Sequence, residues 1–101
     1  MAPQTVKVKG DKFDPNSQHA NTGDVVPFAN KRNQSVTVTL DASFFRPSSL
    51  TLSAEGTSGA SGNVTIIGTT LSGNFKAPKQ SSGTSAAEDN IKGDIILNPS
   101  K

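Results

Sequence analysis

From Ser35 to Asp41 the chain alternates without a break, with Val36, Val38 and Leu40 set against Ser35, Thr37, Thr39 and Asp41. Successive side chains of a strand point to opposite faces, so this stretch buries one face and solvates the other. No helical pattern competes with it. Leu, Ala and Glu never gather at 3.6-residue spacing, and the apolar residues are mostly β-branched or Phe. The chain reads as all-β.

Other segments repeat the pattern. Val6 and Val8 alternate with Lys7 and Lys9 before Gly10-Asp11 turns the chain, and lysines so placed mark the solvent face of an edge strand. Asp24 to Asn30 forms another strand. Pro27 within it cannot donate to a ladder, so it belongs at an edge, at a bulge or where its N–H would face away. Leu50 and Leu52, Val64 to Ile67, Leu71 to Phe75 and Ile95 to Leu97 complete the set, with a Gly/Ser-rich turn over Gly56 to Gly62. Strands recurring about every 8 to 12 residues, with Gly, Asn and Pro between them, predict a seven- or eight-stranded Greek-key β-sandwich. Pro78 to Asn90 is a long polar stretch without strand character, and such loops carry function in compact domains. At most a helical turn fits Ala86 to Asn90.

Size and composition bound the rest. A chain of 101 residues suits one domain, 1–101, and is too short for two independently stable ones. Val, Phe, Leu and Ile together supply 22 residues, which makes a lean core. Without cysteine there is no disulfide, no thiol catalysis and no thiolate ligand. No apolar run approaches the roughly 20 residues that span a bilayer. The net charge is +2 with a pI near 9.2. The basic residues are dispersed and no run exceeds Lys31-Arg32, so no nucleic-acid partner is expected. Tyr and Trp are absent, which removes the usual stacking platforms for sugars and bases. Met1-Ala2-Pro3 leading into a Ser-, Thr-, Asn- and Gly-rich strand region fits the mature part of an exported protein.

Two ends of the chain keep a recognisable spacing. Phe13 and Pro15 are followed by Gly23-Asp24 and then by Val26, Phe28 and Asn30, while Ile91, Gly93, Ile95 and Leu97 form an alternating last strand. Gly accepts a positive φ at the turn and Asp caps it, so the local physics is coherent. This pattern resembles the cupredoxins over about a third of the chain and implies their sandwich. The family's copper ligands do not follow. The resemblance puts the first His ligand where Gln34, Ser35 and Val36 stand, the remaining ligands in the Pro78 to Asn90 stretch, and the axial Met near Ile91. None of these residues replaces an imidazole or a thiolate, so a type 1 copper site and any other cofactor are not expected.

His19 is the sole histidine and the one anchor for an improvised Cu(II) or Zn(II) site, with Asp24, another carboxylate or the amino terminus as co-ligand. Asp11 with Asp14 and Glu88 with Asp89 are the nearest acidic pairs, suited at most to weak binding of a hard cation. No serine lies in a Gly-x-Ser-x-Gly elbow. Phe44, Phe45 and Arg46 are the candidate partner-binding residues, because neighbouring strand residues face opposite ways and one Phe would be left outside beside Arg. The competing arrangement bends the chain at Pro47 so that both rings close the open end of the sandwich. Phe45-x-Pro47 with Leu50, Leu52 and Gly56 also echoes Phe13-x-Pro15 to Gly23. The expectation is a monomeric, non-catalytic, exported binding or structural module that meets a protein or surface ligand. The alternative is a weak metal carrier or sensor built on His19.

Overall fold

The computed structural model describes residues 3–78 and 90–98. One sheet runs from β2 (Phe13–Asp14) through β1 (Val6–Val8), β4 (Val25–Asn30) and β8 (Ser61–Ile66) to β6 (Phe45–Arg46). The other runs from β3 (Ser17–Ala20) through β10 (Asn90–Leu97), β9 (Ser72–Pro78) and β5 (Val36–Leu40) to β7 (Ser49–Leu52). Both are mixed, since β1 pairs with β4 in parallel and β10 pairs with β3 in parallel. The described residues thus form a sandwich of ten strands without helix, where spacing predicts seven or eight. The additional strands, β2, β3 and β6, bury one side chain each, Phe13, Ala20 and Phe45, which is too little for alternation to register.

All five phenylalanines are buried, and three of them meet around the ring of a fourth. Phe75 packs edge-on against Phe13 at 4.7 Å, Phe28 at 5.1 Å and Phe45 at 6.1 Å between centroids. Edge-to-face pairs add about 0.5–1.5 kcal/mol each beyond the area they bury. A core short of aliphatic residues is therefore built around an aromatic cluster that reaches both sheets.

Of the connections that pass between the sheets, the two shortest, Pro15–Asn16 and Pro47–Ser48, lie in the two segments that echo each other in sequence. Phe13 and Asp14 pair with β1, and Ser17 already pairs with Asp94 in the opposite sheet. Phe45 and Arg46 pair with β8, and Ser49 already pairs with Thr39 opposite. In each Phe-x-Pro step the Phe enters the core, the middle residue faces solvent, and the proline, with no N–H to give, leaves the ladder. Both X–Pro bonds are cis. A turn glycine with positive φ follows each step, Gly23 at 95° and Gly56 at 87°, and the strands entered next, β4 and β8, pair with each other.

One expectation from sequence needs correction. Strand β1 is not an edge strand, because β2 folds back over its free side and places Asp14 opposite Lys7. Pro27 sits inside the central strand β4, opposite Asn63. It is tolerated there because Ile66 N–H donates to Asp24 O and Asn30 N–H to Ala60 O. Even-numbered residues therefore bond to β8, and the nitrogen of Pro27 points toward β1, whose ladder with β4 begins only at Val6 and Phe28.

Candidate functional site

At one end of the sandwich β4 finishes at Asn30, β5 begins at Val36, and β9 and β10 part after the pair Pro78–Asn90. The Asn30 side chain is buried and fully used. Its amide nitrogen donates to Gln34 O at 2.8 Å and Ser53 O at 2.9 Å, and its oxygen accepts Arg32 N–H at 2.8 Å. One amide thus ties the 31–35 turn to the end of β7 in the opposite sheet. Gln34 and Ser35 face solvent, whereas Val36 and Ile91 lie in the core with Ala77, the partner of Ile91 across β9. Four described positions at which copper ligands would be sought, 34–36 and 91, therefore hold two exposed polar side chains and two buried aliphatic ones.

Arg32 folds inward beside this node and is only 5% exposed. Its Nε donates to Lys9 O at 3.0 Å, while Nη2 is buried without a partner among the described residues. Burial pushes its pKa down, and no described carboxylate offsets that. Around it Lys31 meets Glu55 at 3.7 Å and Lys9 meets Asp14 at 3.1 Å. The Lys9 contact lowers the Asp14 carboxyl below its ordinary range.

The outer face of the second sheet carries a different kind of site, an open groove of about 780 Å³ over β3, β10, β9 and β5. Lys92 and Lys76 are direct cross-strand partners on it, and one step along the same face Asp94 partners Asn74. Leu97 N–H donates to Leu71 O, so odd-numbered residues of β10 sit in hydrogen-bonded pairs and Lys92 with Lys76 occupies the closer, non-hydrogen-bonded kind. Asp41 joins Asp94 at the acidic end through its N–H to Asn74 O. Its own carboxylate accepts Ser43 Oγ at 2.7 Å and Ser43 N–H at 3.0 Å, which lowers its pKa. A basic row thus lies beside an acidic row, with Thr39, Asn74 and Ser17 between and around them.

Among solved structures, the chain is similar to a reduced proline-to-phenylalanine variant of amicyanin at 13% identity and a TM-score of 0.63, covering 93% of this chain and 80% of that one. A Cu(I) form of a methionine-to-glutamine variant gives 13% and 0.64, over 96% and 83%. The fold is cupredoxin-like. No family model and no curated protein matches the sequence. At this level of identity the likeness concerns architecture, and the residues carry the rest. On this cupredoxin-like frame no group of three His, Cys, Asp or Glu side chains is placed to hold a metal ion among the described residues.

The residues singled out from sequence fall in scattered places. His19 is exposed on the edge strand β3, opposite Ile96. Phe44 and Phe45 do not offer an exposed ring: both are buried, 4.8 Å apart, and only Arg46 reaches solvent. The reason is that Phe44 lies in the turn ahead of β6, where Phe44 N–H and Phe45 N–H both donate to Asp41 O, so strand alternation begins only at Phe45. Asp14 is engaged with Lys9, while Glu88, Asp89 and the interior of the polar stretch lie outside the described residues. No helix among the described residues is long and apolar enough to cross a membrane. The sequence reading missed the lysine pair of the groove and the inward turn of Arg32. The hairpin register Pro78–Asn90 would have exposed the first, and nothing in a Lys-Arg dipeptide signals the second.

Proposed function

We propose that the protein is a non-catalytic binding module on a cupredoxin-like frame without a type 1 copper site, exported and monomeric, that meets its ligand through an outer surface. One observation carries this reading: Val36 is packed in the core at the head of β5 while the Asn30 amide is committed to backbone groups. Among the described residues that end is held by aliphatic packing and hydrogen bonds, and no imidazole or thiolate stands there. The missing thiolate points the same way. Export agrees with the polar, cysteine-free composition.

The test is a backbone amide spectrum of the labelled protein titrated with Cu(II), Cu(I) and Zn(II). Dispersed peaks that ignore all three ions are expected. Saturable shifts centred on His19, abolished in His19→Ala, would replace this reading with metal carriage.

A further inference from the structure

We infer that the groove over β10, β9 and β5 is a binding site for an acidic glycan of the uronate class, an inference that rests on the binding-module reading above. Lys76 and Lys92 stand opposite each other in the closer type of antiparallel pair, and neither meets a described carboxylate in an ion pair. Like charges placed so destabilise a sheet. A local arrangement that costs stability without a structural return is characteristic of a binding site.

The second row defines the ligand further. One residue pair along the face, Asp94 and Asn74 stand beside Asp41. A simple anion would be repelled by those carboxylates. A molecule with a carboxylate at one end and hydroxyls at the other satisfies both rows: the two ammonium groups take the carboxylate, and Asp94, Asp41 and Asn74 accept from or bridge the hydroxyls. That combination is the chemistry of a uronic acid ring. The groove has room for more than one sugar unit. The one aromatic residue along it, Phe75, keeps its ring buried in the core, so recognition is by polar contact.

The experiment follows amide shifts of the labelled protein with oligogalacturonate, with a neutral gluco-oligosaccharide and with sodium sulfate. The acidic oligosaccharide is expected to give saturable shifts at Lys76, Lys92, Asn74 and Asp94, and the other two are not. Binding should weaken about tenfold or more in Lys76→Gln/Lys92→Gln, the scale of one charge-assisted hydrogen bond, and persist in Lys7→Gln. Asp94→Asn separates the rows: it should weaken the oligosaccharide while strengthening sulfate. Shifts that follow sulfate equally, that map to Lys7, Lys9 and Lys12, or that fail to saturate would overturn the inference. If oligogalacturonate fails while another ligand footprints elsewhere on the surface, the binding-module reading stands and the groove assignment falls. Saturable metal shifts at His19 would remove that reading by a separate route.

Discussion

Phe75 and Gly93 face each other across β9 and β10, and the ring occupies the space a side chain at Gly93 would need. An ideal Cβ there stands 2.5 Å from Cε1 and 2.7 Å from Cζ, with Asn16 O at 2.9 Å. The ring has little room to retreat, because Phe13 and Phe28 hold it edge-on. Gly93→Ala is expected to destabilise by about 1–3 kcal/mol through overpacking, against a chain-entropy gain of only about 0.4–1 kcal/mol. Urea unfolding checks it, and a raised midpoint would contradict the packing described.

Phe44 is enclosed in a similar way, with Gly68 and Gly73 both closed against its ring. Phe44→Ala should cost about 3–5 kcal/mol, and Arg46→Ala should stay within about 0.5 kcal/mol. Equal effects in thermal unfolding would mean that the ring is not in the core.

Asn30→Ala removes the amide that joins the 31–35 turn to the end of β7. Two backbone carbonyls lose their donor, and a loss of about 2–3 kcal/mol is expected. Hydrogen exchange should rise first in Gln34 and Val36.

Arg32→Met is expected to behave differently although the site is as deeply buried. The guanidinium is desolvated, uses Nε on Lys9 O and leaves Nη2 without a partner among the described residues. An apolar replacement of similar length should change stability by no more than about 1 kcal/mol in either direction. A much larger loss in chemical denaturation would show that the charge itself holds this end together.

Asp41 supplies a pH signature. Its folded pKa lies below the unfolded value because Ser43 donates twice to its carboxylate. A depressed carboxyl contributes stability that is present above the unfolded pKa and disappears as the pH falls through the folded one. The group is exposed, so the effect is small. Carboxyl carbon titration should place Asp41 below an ordinary Asp, and Ser43→Ala should raise it.

The strands that bury one full face were legible in the sequence. Val36, Val38 and Leu40 write the inner face of β5 in consecutive alternate positions, and Gly23-Asp24 marks the turn into β4 by local chemistry alone. What depends on distant pairing was not legible. Lys7 and Lys9 look the same whether their strand is an edge or is covered by β2, since that cover is decided by the chain reversing at Gly10-Asp11. Phe44 and Phe45 read as an alternating pair until the turn from Asp41 to Phe44 takes Phe44 out of the strand and both rings face inward. The groove is further from reach, because Lys76 and Lys92 meet only through the register of β9 and β10, and Asp41 arrives from a third strand. Arg32 is hidden for another reason: a buried guanidinium breaks the expectation that charge stays in water.

The two short edge steps between the sheets have a mechanical consequence. At each lateral side the main chain itself passes from one sheet to the other, at Pro15 and at Pro47, so the sandwich is stitched along both seams by covalent bonds. Its two layers cannot hinge apart like the halves of a shell. A load that separates them must first peel β3 from β10 or β7 from β5, one backbone hydrogen bond at a time, while the aromatic cluster between the sheets stays shut.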